Sequence, residues 1–147
     1  MKNITLYLTL AFLALGYTAN AQTEAQKEEM CTKKAGADVT LLKSIFAELP
    51  AATGSEKKPV FKYSCFLQKD TRYRVTICTD DDSPGKGFVT LYDNLTLLGS
   101  TYNPSTGQDF PRFEFDCTKT GVYHFFVEFI DGKAGKAVVI ISLVKKL

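Results

Sequence analysis

From Phe61 onward the chain alternates apolar and polar positions in short runs. In VFKYSCFL, Phe61, Tyr63, Cys65 and Leu67 share one face. In TRYRVTIC, Tyr73, Val75 and Ile77 alternate with Arg72, Arg74 and Thr76. A period of two is the mark of a half-buried antiparallel strand. FPRFEFDC sets Phe113, Phe115 and Cys117 against Glu114 and Asp116, and GVYHFFVEFI sets Tyr123, Phe125, Val127 and Phe129 on one side. GFVTLYD and LTLLGSTY flank Asp93-Asn94, a hairpin turn signal. DGK, Asp131 to Lys133, is a second turn, and KAVVIISLVKK is the closing strand. VTLLKSIFAEL carries both periods, with Val39, Leu42, Ile45, Phe46 and Leu49 near helical spacing and a strand-like start. We read it as a strand. Pro50 to Pro59 is a loop by its Pro, Gly, Ser and Lys content. Seven or eight strands at spacings of about 8–15 residues predict an all-β antiparallel sandwich, jelly-roll-like or immunoglobulin-like.

Upstream of Asp38 the texture differs. TEAQKEEMCTKKAGAD is rich in Ala, Glu and Lys, all good helix formers, and Gly36 offers a stop. A helix is predicted from about Glu24 to Lys34. It is polar on most sides, so it is expected on the surface of the domain, pinned there by Cys31.

The first 21 residues read as a removable export signal. Lys2 gives a positive start, ITLYLTLAFLALGY is an uncharged apolar run, and Ala19-Asn20-Ala21 sets small residues where a signal peptidase reads. Spanning a bilayer takes about 20 apolar residues, more than this run offers. No second such run follows, so no integral membrane segment is expected after signal removal. The expected layout is therefore a signal over 1–21, a helical segment over 22–37 and a sandwich over 38–147. The protein is expected in the periplasm or outside the cell. With 18 Lys and Arg against 16 Asp and Glu, the formal net charge is +2. A near-neutral surface argues against nucleic acid as a partner.

One stretch carries a more specific resemblance. CTKTGVYHFFVEF, Cys117 to Phe129, resembles the corner between two sandwich strands at which a Tyr hydroxyl bonds back to upstream backbone. Together with FLQKDTRYRVTIC, GFVTLYDNLTLLGS, FEFDC and KAVVIISLV, it looks like the bacterial pre-peptidase C-terminal domain. The likeness covers roughly Val60 to Val144. It implies a small jelly-roll-like sandwich with a non-catalytic accessory or binding role. Two features depart from that family. The module stands nearly alone, and GKGFVTLYD occupies the place of the family's Gly-Asp-hydrophobic-Asp pattern. No site residue carries over.

Four cysteines, Cys31, Cys65, Cys78 and Cys117, follow the signal. An even count in an exported chain reads as two disulfides. No spacing is CxxC and His124 is the lone histidine, which argues against zinc. In an immunoglobulin-like order the strands of Cys65, Cys78 and Cys117 share one sheet. A hairpin at Lys69-Asp70 then leaves Cys65 and Cys78 about 13 Å apart, beyond the ~7 Å that a bridge tolerates. Antiparallel neighbours hold Cys78 and Cys117 at opposite ends. The expected pairs are Cys31–Cys78 and Cys65–Cys117, with Cys78 facing outward where the helix can lie.

Candidate chemistry is sparse. Asp80-Asp81-Asp82 precedes a Ser-Pro-Gly turn and fails the calcium-loop spacing, since Pro84 would fall at position five and no acid closes the loop. It reads as a charged inter-strand loop, with Asp80 and Asp82 as candidates for a weak calcium ion. For carbohydrate, Tyr102 is the best loop aromatic and Tyr92 lies near the end of its strand, although tryptophan is absent. His124 has no GxSxG serine to serve. Glu114 and Glu128 fall on strands that belong to different sheets, a poor start for a glycosidase. Arg72, Arg74, Thr76, Glu114, His124 and Glu128 form the outer polar face. The expected function is a non-enzymatic binding or accessory module that contacts a protein or glycan. The alternative is a small hydrolase with a carboxylate site, for which a pocket gathering two of Glu114, Glu128 and His124 would speak.

Overall fold

The computed structural model describes residues 22–147 other than 55 and 56. The export signal read at 1–21 lies outside the described residues. The chain is an all-β sandwich with one helix, α1 (Glu24–Ala35). The long strands are β1 (Thr40–Leu49), β2 (Phe61–Leu67), β3 (Thr71–Thr79), β4 (Gly87–Asp93), β5 (Thr96–Ser100), β8 (Arg112–Cys117), β9 (Gly121–Phe129) and β10 (Gly135–Lys146). Two short strands, β6 (Tyr102–Asn103) and β7 (Gln108–Asp109), form a separate small hairpin.

The sheets run β1-β10-β3-β8 and β2-β9-β4-β5. Every pairing is antiparallel. The chain passes between the sheets repeatedly, which is the wiring of a jelly roll and not of an immunoglobulin domain. The expected hairpin between β2 and β3 is therefore a corner. Asp70 turns it with φ 56°, and its N–H donates to the Cys117 carbonyl at 2.8 Å. Turn chemistry bends the chain in either case and does not state which sheet receives the next strand.

The alternation read from the sequence is the alternation of burial. Val75, Ile77, Val89, Leu91, Phe125, Val127, Val139 and Ile141 fill the space between the sheets. The ambiguous segment after Asp38 is a strand. Tyr123 makes the expected corner, its hydroxyl donating to the Lys119 carbonyl at 2.5 Å.

A second, smaller core lies on the outside of the first sheet. There α1 buries Cys31 and Ala35 against Val138 and Ile140, with Val39, Phe46 and Cys78 packed at its margin. Cys31 and Ala35 are one turn apart and are the only α1 residues buried. The apolar stripe is that narrow because a single turn of contact and one disulfide hold the helix. Its start is closed by a capping box, Thr23 Oγ1 accepting from the Gln26 N–H and Gln26 Oε1 from the Thr23 N–H. At its other end Gly36 has φ 110°, and a Cβ there would come 2.9 Å from Arg74 Nη1. Glycine lets the chain leave the helix across the Arg74 guanidinium.

Candidate functional site

The two outward faces of the sandwich have different surroundings. On the first sheet, β3 and β10 are buried on both sides. Arg74 is only 7% exposed and Thr76 1%. Both were expected on an open polar face, and the helix above them removes it. A buried guanidinium needs partners, and Arg74 has them. It donates to the Ala35 carbonyl at the helix end, to both Asp38 carboxylate oxygens and to Glu114 Oε1. The Arg74 hydrogen bonds hold the Asp38 carboxyl below its usual range. Glu114 is thus part of the helix anchor.

The disulfide Cys31–Cys78 forms as expected, with Cα atoms 5.8 Å apart. The second expected bridge does not. Cys65 and Cys117 are free thiols on opposite sheets. Tyr123 is the cross-strand partner of Cys65, and its hydroxyl lies 3.3 Å from Cys117 Sγ. Both cysteines face the core as read, but the jelly-roll order separates their strands. Burial pushes the Cys65 thiol up to about 11, so at neutral pH it is protonated and not a nucleophile.

Asp80 has found a cation of another kind. Its carboxylate lies 2.5 Å from Lys27 Nζ of α1 and its side chain is 6% exposed. Asp81 and Asp82 are exposed. Among the described residues no group of three or more His, Cys, Asp or Glu side chains is placed to hold a metal ion. The acidic run is read best as a loop whose first residue clamps the helix. A hollow of about 120 Å³ beside that ion pair is lined by helix, β1 and β10 residues.

Among the described residues the second sheet carries no helix on its outward face. Its rows are set by register: Lys62, Phe126, Thr90 and Ser100 lie side by side, as do Ser64, His124, Tyr92 and Leu97. Glu128 pairs with Phe88, and Phe66 with Val122. Phe66 is 65% exposed and Leu97 56%. Exposed apolar and aromatic side chains on this face alternate with polar ones.

Two clefts of about 370 and 380 Å³ open on this face and share Thr90, Tyr92 and Glu128, so they form one groove. Phe88 and Tyr102 pack at 5.2 Å between ring centroids at one end. Tyr92, where the two clefts meet, packs edge to face with Phe126 at 5.3 Å between ring centroids. Buried Thr101 fixes the Tyr102 loop, its N–H donating to the Val89 carbonyl and its Oγ1 accepting from the Val89 N–H. Tyr92 and Tyr102, read separately from the sequence, thus converge. Nothing in the local pattern of Thr101 or Phe88 singled them out.

Glu128 is half-buried in the groove, and loss of water pushes its carboxyl above the usual range, with the Lys58 charge opposing. Among the described residues it makes no ion pair and no side-chain hydrogen bond. His124 lies on the same face, two rows away, bonded through Nδ1 to Ser64 Oγ at 2.7 Å. Neither His124 nor Glu114 lines the groove with Glu128. No protein-family model matches the chain, and no curated protein matches it significantly.

Proposed function

We propose that this protein is an exported, non-catalytic binding module that holds a protein or glycan partner on the open face of its second sheet. The observation that carries the reading is the asymmetry of the sandwich. One outward face is covered by a disulfide-held helix, and the other presents an aromatic groove with a carboxylate that has no partner among the described residues. Binding clefts combine apolar walls with a few placed polar groups in this way. A hydrolytic reading would want Glu128 beside Glu114 or His124, and the groove has Glu128 without either. The likeness to pre-peptidase C-terminal domains accords with a role in contact and not in catalysis. Cys31–Cys78 supports export, because disulfides persist in oxidising compartments.

The test compares two labelled double variants of the secreted chain for retention on cell-envelope and culture-supernatant fractions. Tyr92→Ala with Phe126→Ala alters the open face, and Glu29→Ala with Lys33→Ala alters the exposed side of α1. Loss of retention with the first pair alone is expected. Loss with the helix pair alone would move the binding surface to the other side of the molecule.

A further inference from the structure

Resting on that assignment of the face, we propose that the groove takes a linear, uncharged glycan whose sugar rings lie on Tyr92 and on the Phe88–Tyr102 pair while sugar hydroxyls donate to Glu128. Four observations converge. The groove is elongated, because two clefts join along Thr90, Tyr92 and Glu128. An extended polymer fits such a shape better than a compact ligand does. Its ring platforms are Phe88 with Tyr102 in one cleft and Tyr92, packed on Phe126, where the two clefts meet. Aromatic faces carry negative charge density, and the C–H faces of a pyranose are apolar and weakly positive, so the two surfaces match.

Glu128 supplies the polar half. It is half-buried and has neither a hydrogen-bond donor nor an ion-pair partner among the described residues, so its oxygens are open to donors from a ligand. A carboxylate accepts at two oxygens, and the adjacent hydroxyls of a sugar ring offer two donors. The charge around it is mixed in sign. Three lysines, Lys57, Lys58 and Lys62, and two carboxylates, Glu128 and Asp131, line the groove. A polycation would meet the lysines, and a polyanion would meet the carboxylates. The nearly balanced lining therefore gives a charged polymer of either sign little advantage over a neutral chain. A protein partner is disfavoured by the mixed lining, in which hydroxyls and charges alternate with the rings and a continuous apolar patch is interrupted.

Affinity electrophoresis and titration calorimetry of the secreted chain decide this with five soluble polysaccharides. Xylan, glucomannan and mixed-linkage β-glucan are neutral; alginate and polygalacturonate are acidic. At least one neutral polymer is expected to bind. Tyr92→Ala and Tyr102→Ala are expected to weaken it about tenfold or more, as for buried aromatic anchors. Glu128→Gln is expected to weaken it about tenfold, the size of one hydrogen bond to a charged group. Wild-type binding should also fall in mild acid, starting at a higher pH than an ordinary glutamate would give. Far-UV circular dichroism and melting confirm that each variant folds. Binding of acidic polymers only, or of none, overturns the glycan inference. If none binds while the open-face double variant still loses envelope retention, the face stands and the ligand class falls. Neutral-polymer binding that survives all three substitutions removes the groove itself.

Discussion

The two outward faces start from one sequence rule and end differently. Each is the polar side of alternating strands, Arg72, Arg74 and Thr76 on one sheet and Ser64, His124 and Thr90 on the other. On the first sheet a polar helix settles over the strands. It is held by a disulfide, by an ion pair from Lys27 to Asp80, and by an arginine that ties helix end, loop and strand together. On the second sheet no described residue outside the strands settles as a helix, and phenylalanine and tyrosine rings are left partly in water. The difference teaches that alternation marks a face as outward without marking it as free. Specific polar and covalent ties make the closed face a structural one, and their absence makes the open face available to a partner.

The largest test of this contrast is the covalent tie. Replacing Cys31 and Cys78 by alanine frees a loop with a sequence separation of 47 residues. By chain entropy this should cost about 4 kcal/mol, and urea unfolding reads it. A loss under about 1 kcal/mol would mean that the helix is held by packing alone. Next comes Arg74→Ala, expected to cost about 2–3 kcal/mol, because the Ala35 carbonyl keeps only the longer bond from Arg112 Nη1 at 3.3 Å and the tie from helix end to Asp38 and Glu114 is lost. Amide exchange should show α1 opening in that variant while the strands stay protected.

On the open face the same measurements should move little. Tyr92→Ala or Phe126→Ala should change stability by no more than about 1 kcal/mol, as for partly exposed positions. A loss of about 3 kcal/mol or more would show these rings to be core, and the face would no longer be a candidate for binding.

The smallest effects are expected from pH, and they have opposite signs. Asp38 and Asp116 are held below their ordinary values by hydrogen bonds from Arg74 and Arg72. Their contribution is present above the unfolded carboxylate value, about 3.9, and is lost as pH falls through the lower folded value. Asp38→Asn should therefore lower Tm at pH 7 and have less effect in strong acid. Glu128 is raised by desolvation, so the native state holds its proton where the unfolded chain has released it. It detracts from stability at neutral pH and ceases to do so below the ordinary glutamate range. Glu128→Gln should raise Tm at pH 7, with the gain shrinking toward pH 4. A neutral or lower Tm at pH 7 would show that the carboxylate already has a partner.

Much was legible locally. Ala, Glu and Lys density with Gly36 as a stop specified the helix, and period-two alternation specified the strands. Thr120-Gly121-Val122-Tyr123 specified the corner. KAVVIISLVKK was legible as the closing strand, but not its burial on both faces, which comes from the helix above it. Arg74 was not legible. An arginine at an outward position reads as solvent-facing unless it is known what lies above it. The two free thiols show the same limit, because pairing depends on which sheet each strand joins. That is set by the order β1-β10-β3-β8 and β2-β9-β4-β5.

The sequence by itself determined which residues point inward, where the chain turns, and that Cys31 could fasten a helix to Cys78. Short-range sterics and the pleat of a strand decide these, and they act within a few residues. Only the tertiary structure decided that Arg74 lies under a helix, that Asp80 clamps that helix, and that Tyr92, Tyr102 and Glu128 share one groove. Those facts depend on strands far apart in the chain becoming neighbours, and burial and electrostatic partners are properties of neighbours in space.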